Sequence, residues 1–172
     1  MSELIFHTLP VILAVASFWS NTERKLLLLN LGLCVTIAAL LAFQQAWGGV
    51  LVITVAGIST TYRLITNKLV SSKITAVLIV IMSALIGVIN NLSGKTGLLE
   101  LMPLITFIFY RFGELHCREA GLRMCMVIGS AVFTVYALIT HTWGVAVTES
   151  LFAMSNLWYW VRLKRTVQSA AV

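Results

Sequence analysis

The sequence predicts an all-α, polytopic membrane protein: seven transmembrane helices forming two parallel three-helix bundles joined by a linker helix. Three observations carry this. Of 172 residues, 59% are hydrophobic and only 10% charged, with mean hydropathy +0.96; a soluble domain carries roughly 25% charged residues. No soluble core of this size hides so much apolar surface, so the lipid bilayer is the expected solvent and partner. The second observation is the partition of positive charge between loops, and the third is an internal repeat.

A spanning helix needs about 20 mostly apolar residues, and seven stretches approach that. The first is Leu4–Trp19. It contains Ala14-Val15-Ala16, which resembles a signal-peptidase site, but no Lys or Arg precedes it, so a retained helix is expected. The polar run Ser20–Lys25 closes it. The second, Leu26–Phe43, ends at Gln44-Gln45, and the third is Ala46–Thr66. The fourth, Ile74–Asn90, runs into the turn-prone Ser93-Gly94. The fifth is Gly97–Phe112, the sixth Leu122–Thr140 and the seventh Trp143–Val161. Val and Ile in the third and fourth would favour strands in water, but their length and lack of strict alternation argue against a barrel. In lipid every backbone group must be satisfied within its own segment, and helices do this.

With seven spans, alternate loops share a side. Arg24, Lys25, Arg63, Lys68, Lys73, Arg111, Arg118, Arg123, Arg162, Lys164 and Arg165 fall with the C-terminus, and Lys95 alone falls opposite. By the positive-inside rule the C-terminus is cytoplasmic and the N-terminus periplasmic. This also accounts for the net charge of +6: the positive residues sit in short loops, so no nucleic-acid partner is expected.

The stretch Thr140–Arg165 threads His141, Glu149, Ser155 and Asn156 through an apolar helix, and Gln44–Thr66 echoes it 96 positions earlier. Trp47-Gly48 falls on Trp143-Gly144, Ser59 on Ser155 and Thr60 on Asn156. Glu23 matches Glu119 and Leu26 matches Leu122 at the same spacing, while the only two prolines, Pro10 and Pro103, are 93 apart. A three-residue insertion between Pro103 and Glu119 reconciles the two spacings. Residues 1–68 thus form a first bundle, 69–96 a linker helix and loop, and 97–172 a second bundle. An odd linker helix makes the repeat parallel, an arrangement that places a transporter's site between the repeats near the midplane.

Several residues are candidates for chemistry. Glu149 lies about 9 Å into the seventh span at 1.5 Å per residue, where a carboxyl is costly unless paired, protonated or wet; it reads either as a coupling carboxyl or as a structural hydrogen-bond partner. Asn156, on the same helix face, suits a polyhydroxyl ligand or interhelical bonding with Ser155, Ser59 or Thr60. Trp47 and Trp143 fit an interfacial aromatic belt or a symmetric stacking pair, and Trp158-Tyr159-Trp160 an anchor at the helix end. Pro10 and Pro103 are candidate hinges. Arg63 and Arg111, near span ends, are expected to snorkel to the headgroups. Glu100, His7 and His141 share a side with Glu149, but their spacing matches no metal motif. Cys34, Cys117 and Cys125 read as small hydrophobes with no disulfide. No phosphate loop and no Ser/His/Asp or Cys/His pattern occurs, so neither an enzyme nor a cofactor is expected, and Lys164 lies past the seventh span, unsuited to retinal. Gly48-Gly49 and Gly57 permit close helix contact within a chain or in a homo-oligomer.

The 3+1+3 parallel arrangement resembles the SWEET sugar transporters and their vitamin-carrying PnuC-type relatives. That resemblance implies alternating access, with Pro10 and Pro103 as hinges and Asn156 and Thr60 where the family pairs two asparagines; the Pro-Gln pair of the wider superfamily is absent here. Across nearly the whole chain, Asn21–Lys25 (NTERK), Glu100–Pro103 (ELMP), Leu122–Met126 (LRMCM) and His141–Asn156 (HTWGVAVTESLFAMSN) resemble the YgjV family of bacterial inner-membrane proteins. The resemblance implies location rather than activity. The expectation is a transporter of a small polar solute in the inner membrane, with a non-transporting structural or accessory protein as the alternative.

Overall fold

The computed structural model describes residues 2–43, 47–92, 97, 99 and 101–169. Gln44, Gln45, Ala46, Ser93, Gly94, Lys95 and Glu100 lie outside the described residues, as do the side chains of His7 and Trp47. Seven α-helices follow in order: α1 (Ser2–Ala16), α2 (Glu23–Phe43), α3 (Trp47–Thr66), α4 (Ser72–Leu92), α5 (Leu101–His116), α6 (Glu119–Ile139) and α7 (Trp143–Ser169). A 3-10 turn, Ser17–Trp19, extends α1. No strand occurs among the described residues. The 21 residues of α2, α4 and α6 give each helix about 31 Å, the thickness of a bilayer's hydrocarbon layer. By length and composition α6 is the one helix among the described residues that is apolar and long enough to cross a membrane; Thr8–Trp19 and Ser72–Val88 are shorter apolar helices.

Helix ends follow local chemistry. Thr22 accepts from the Lys25 amide and caps α2. Asn67 closes α3 at φ 49°, a left-handed position that asparagine tolerates. The fifth helix starts and ends four residues later than the sequence pattern predicts. Pro103 therefore sits in its first turn, where a missing N–H breaks no helical bond, whereas Pro10 lies inside α1. The three-residue excess of the second half is taken up at the other end of α5. In the register of the prolines Trp19, where α1 and its 3-10 turn stop, corresponds to Phe112, but α5 runs on to His116.

The helices pack in a closed cycle: α1 on α2, α2 on α3, α3 on α5, α5 on α6, α6 on α7 and α7 back on α1. The α1–α3 half thus meets the α5–α7 half along two seams, α1/α7 and α3/α5. Outside the cycle, α4 lies against α5 and more lightly against α3. Much of its circumference is exposed and apolar, with Val77, Val80, Ile81 and Val88 all facing out.

A core of Ala14, Leu26, Leu27, Leu33, Leu122, Met126 and Phe152 joins both halves. Leu26 and Leu122, matched across the repeat, are both fully buried in it. Polar groups share the interior: Asn30, Thr60, Arg63, Arg111, Glu114, Arg123, Ser155 and Asn156 are buried, while Ile12, Val35, Ile58, Ile65 and Met154 face outward. Water would select the reverse arrangement.

Within the second half the helices approach closely. A Cβ on Gly129 of α6 would stand 2.5 Å from the Tyr110 ring of α5, and one on Gly113 would stand 2.7 Å from the Cys125 Cβ. By contrast, a Cβ on Gly32 or Gly57 would find its nearest neighbour at 3.6 or 3.7 Å. Gly129→Ala is therefore expected to destabilise the protein by about 1–3 kcal/mol through overpacking, whereas Gly57→Ala leaves unfolding in detergent micelles little changed. Equal effects at the two positions would contradict this packing.

Candidate functional site

The densest polar constellation lies on the α3/α5 seam. Arg111 and Glu114, three residues apart on α5, face the same way, and their Nη1 and Oε2 are 2.5 Å apart. Glu114 is fully buried and Arg111 nearly so. Asn30 of α2 donates its amide to Oε1. The Thr60 hydroxyl of α3 lies 3.0 and 2.9 Å from the two carboxylate oxygens. Arg111 Nη1 also donates to the Ala56 carbonyl at 2.7 Å and to Ser59 Oγ at 2.5 Å. Small residues at 56, 57, 59 and 60 keep this face of α3 low and let α5 draw near. Burying one charge alone would cost several kcal/mol, so the pair and its hydroxyl shell form one electrostatic unit.

The other face of α5 carries a second cluster. Tyr110 donates to Glu149 Oε2 of α7 at 2.7 Å, and its oxygen lies 2.5 Å from Ser130 Oγ of α6. A phenol has one proton, so Ser130 donates to Tyr110 when Tyr110 donates to Glu149. Glu149 is thus held by hydroxyls, whereas Glu114 is held by a guanidinium.

The α1/α7 seam is built from hydroxyls and an amide. Ser17 and Ser155 meet at 2.5 Å, and Tyr159 donates to the Phe18 carbonyl at 2.7 Å. Asn156 donates to the Phe152 carbonyl of its own helix at 2.9 Å, and its buried Oδ1 has no hydrogen-bond partner. Among the described residues no hydrogen bond joins the Ser59–Thr60 pair to the Ser155–Asn156 pair: Ser59 and Thr60 serve the α3/α5 seam, Ser155 the α1/α7 seam, and Asn156 bonds within α7. Trp143 is exposed, with its ring centroid 6.1 Å from that of His141. The Trp158–Trp160 run divides: Trp158 is exposed, Tyr159 is buried under Arg123, and Lys164 lies over the Trp160 ring at 4.2 Å.

Arg63 and Arg111 do not snorkel; both are buried, because acids reach them inside the bundle. Arg63 pairs with Glu23 and donates to the Cys117 carbonyl at 3.2 Å. Arg123 pairs with Glu119 at 2.9 Å, donates to the Ser20 carbonyl at 2.7 Å and lies over the Tyr159 ring at 4.6 Å. The matched acids Glu23 and Glu119 therefore each hold an arginine that grips the first loop of the opposite half.

The sequence pattern had not singled out Glu114, Asn30, Tyr110, Ser130, Ser17 or the pairing role of Arg123. The usable signal was local: an acid three residues after an arginine in an apolar helix is itself an ion pair by geometry, and Asn30 interrupts an apolar run.

Removing Arg111 alone leaves the Glu114 carboxylate uncompensated. Arg111→Met is expected to cost about 3–5 kcal/mol, and adding Glu114→Gln to recover most of it, since the new amide oxygen still accepts from Asn30 and Thr60. Chemical unfolding in micelles checks this; additive losses in the double variant would show that the two groups do not act as a pair.

No curated protein and no solved structure matches the chain. A family model does: Imp-YgjV, described as a bacterial inner membrane protein, matches residues 3–167. With a polar interior, an apolar exterior and a match over almost its whole length, the chain belongs to this family of bacterial inner membrane proteins.

Proposed function

We propose that the protein transports a small polar metabolite across the inner membrane, by rocking of the α1–α3 and α5–α7 halves against each other. The observation that carries this reading is the charged cluster of Arg111, Glu114, Asn30, Ser59 and Thr60 at a seam between the halves. A solute bearing hydroxyl or amide groups would exchange bonds with Ser59, Thr60 and Arg111 as that seam opens. Asn156, with a free buried acceptor, and Ser155 would serve the matching seam. Glu149, which accepts from Tyr110 and has no cationic partner among the described residues, would tune or couple the cycle. Pro10, inside α1, is the better placed of the two prolines for bending; Pro103 would mark the start of α5. Trp47 and Trp143 would belong to the outer rim.

The second reading, a structural or accessory membrane protein, is favoured by one observation: most of these polar groups already satisfy each other. A thermal-shift screen against sugars, nucleosides, vitamins and amino acids, followed by uptake into proteoliposomes, separates the two. A ligand at 100 times its Kd adds about 2.7 kcal/mol. The transport reading expects a hit whose uptake falls at least tenfold in Ser59→Ala and Asn156→Ala. No hit, with both variants merely less stable, would favour the structural reading.

The same proposal places the N-terminus in the periplasm and the C-terminus in the cytoplasm, with the Arg- and Lys-bearing loops inside. A C-terminal green fluorescent protein fusion is expected to fluoresce, and a C-terminal alkaline phosphatase fusion to be inactive. The opposite pattern would invert the topology.

A further inference from the structure

At the end of the cycle where α2 and α6 begin and α3 ends, the surface opens into a cavity of about 580 Å³. Glu23, Arg63, Asn67, Lys68, Leu69 and Arg118 line it. Three cations face one acid, and that acid is already engaged: Glu23 accepts from Arg63 through Nε at 3.1 Å and through Nη2. Lys68 and Arg118 are exposed. The remaining Arg63 nitrogen, Nη1, is buried without a hydrogen-bond partner, a costly state for a guanidinium donor. Arg118 is also the N-cap residue of α6, and its side chain makes no capping bond. The positive end of that helix dipole therefore adds to the cationic wall.

The loop that carries Lys68 is fixed in place rather than merely tethered. The Asn67 amide donates to the Arg63 carbonyl at 2.9 Å, and the Val70 amide to the Leu115 carbonyl at 2.7 Å. The cations thus converge from three elements on one recess. Positive charges that serve orientation alone need only lie on the correct side of the bilayer; they have no need to border a common cavity.

We propose that this cavity binds a phosphate group. A recess walled by an excess of cations and by a helix start is suited to recognise phosphate oxygens. The group could come from a soluble phosphate compound or from the headgroup of an anionic phospholipid. The site is separate from the α3/α5 seam and does not depend on the transport reading.

The test uses the full-length protein. In a zwitterionic detergent it is titrated with inorganic phosphate, and in nanodiscs of zwitterionic lipid it is compared with and without phosphatidylglycerol; thermal unfolding is read in each. Stabilisation is expected with at least one probe, and the paired change Lys68→Gln and Arg118→Gln is expected to weaken it tenfold or more. The control Arg24→Gln with Lys25→Gln removes as much charge from exposed positions that do not line the cavity, and is expected to keep the response. A rise with phosphate assigns a soluble ligand, and a rise with phosphatidylglycerol alone assigns a headgroup. The proposal is overturned if neither probe stabilises the protein, or if the two double variants respond alike.

Discussion

Arg111 and Glu114 are neutralised by each other inside a shell of hydroxyl and amide groups, and the rest of the interior is arranged so that this can hold in a medium without water. A lone charge between these helices would cost several kcal/mol, a large fraction of a typical domain's net stability. The pair is tolerated because α3 presents small residues and the Ala56 carbonyl, α2 presents an amide, and α5 brings acid and base on one turn. Each of these is a sequence choice that a purely apolar helix bundle would not need.

Two further arginines solve the same problem at the end of the bundle and bind the halves together. Arg63 and Arg123 each take an acid from their own half and also donate through Nη2 to a backbone carbonyl of the other. Where Arg63 stands on α3, the matching position on α7 holds Tyr159, which donates to the Phe18 carbonyl and lies beneath Arg123. The halves therefore achieve comparable cross-contacts with different side chains.

The all-helical class was legible in the sequence. Helix number, order and approximate ends follow from apolar length and polar interruptions, and the start of α7 at Trp143 was read correctly to the residue. The end of α5 was not, because apolar length alone cannot tell whether Arg111 closes a span or pairs within it. Snorkelling and ion pairing make the same demand for a long basic side chain near a helix end, and only the acid one turn later decides between them. The polar partners were half legible. Ser59, Thr60, Ser155 and Asn156 were marked as polar candidates for a solute or for interhelical bonding, but which helix each would address depends on the order of packing around the cycle. Hydrophobic periodicity does not encode that order, since lipid and protein interior are equally apolar to an outward or inward leucine.

The unequal tightness of the two halves bears on how the sequence can drift. At Gly113 and Gly129 even one added methyl group meets a neighbouring side chain, whereas Gly32 and Gly57 stand in ordinary van der Waals surroundings. Substitutions that enlarge the side chain are therefore tolerated less at Gly113 and Gly129 than at Gly32 and Gly57.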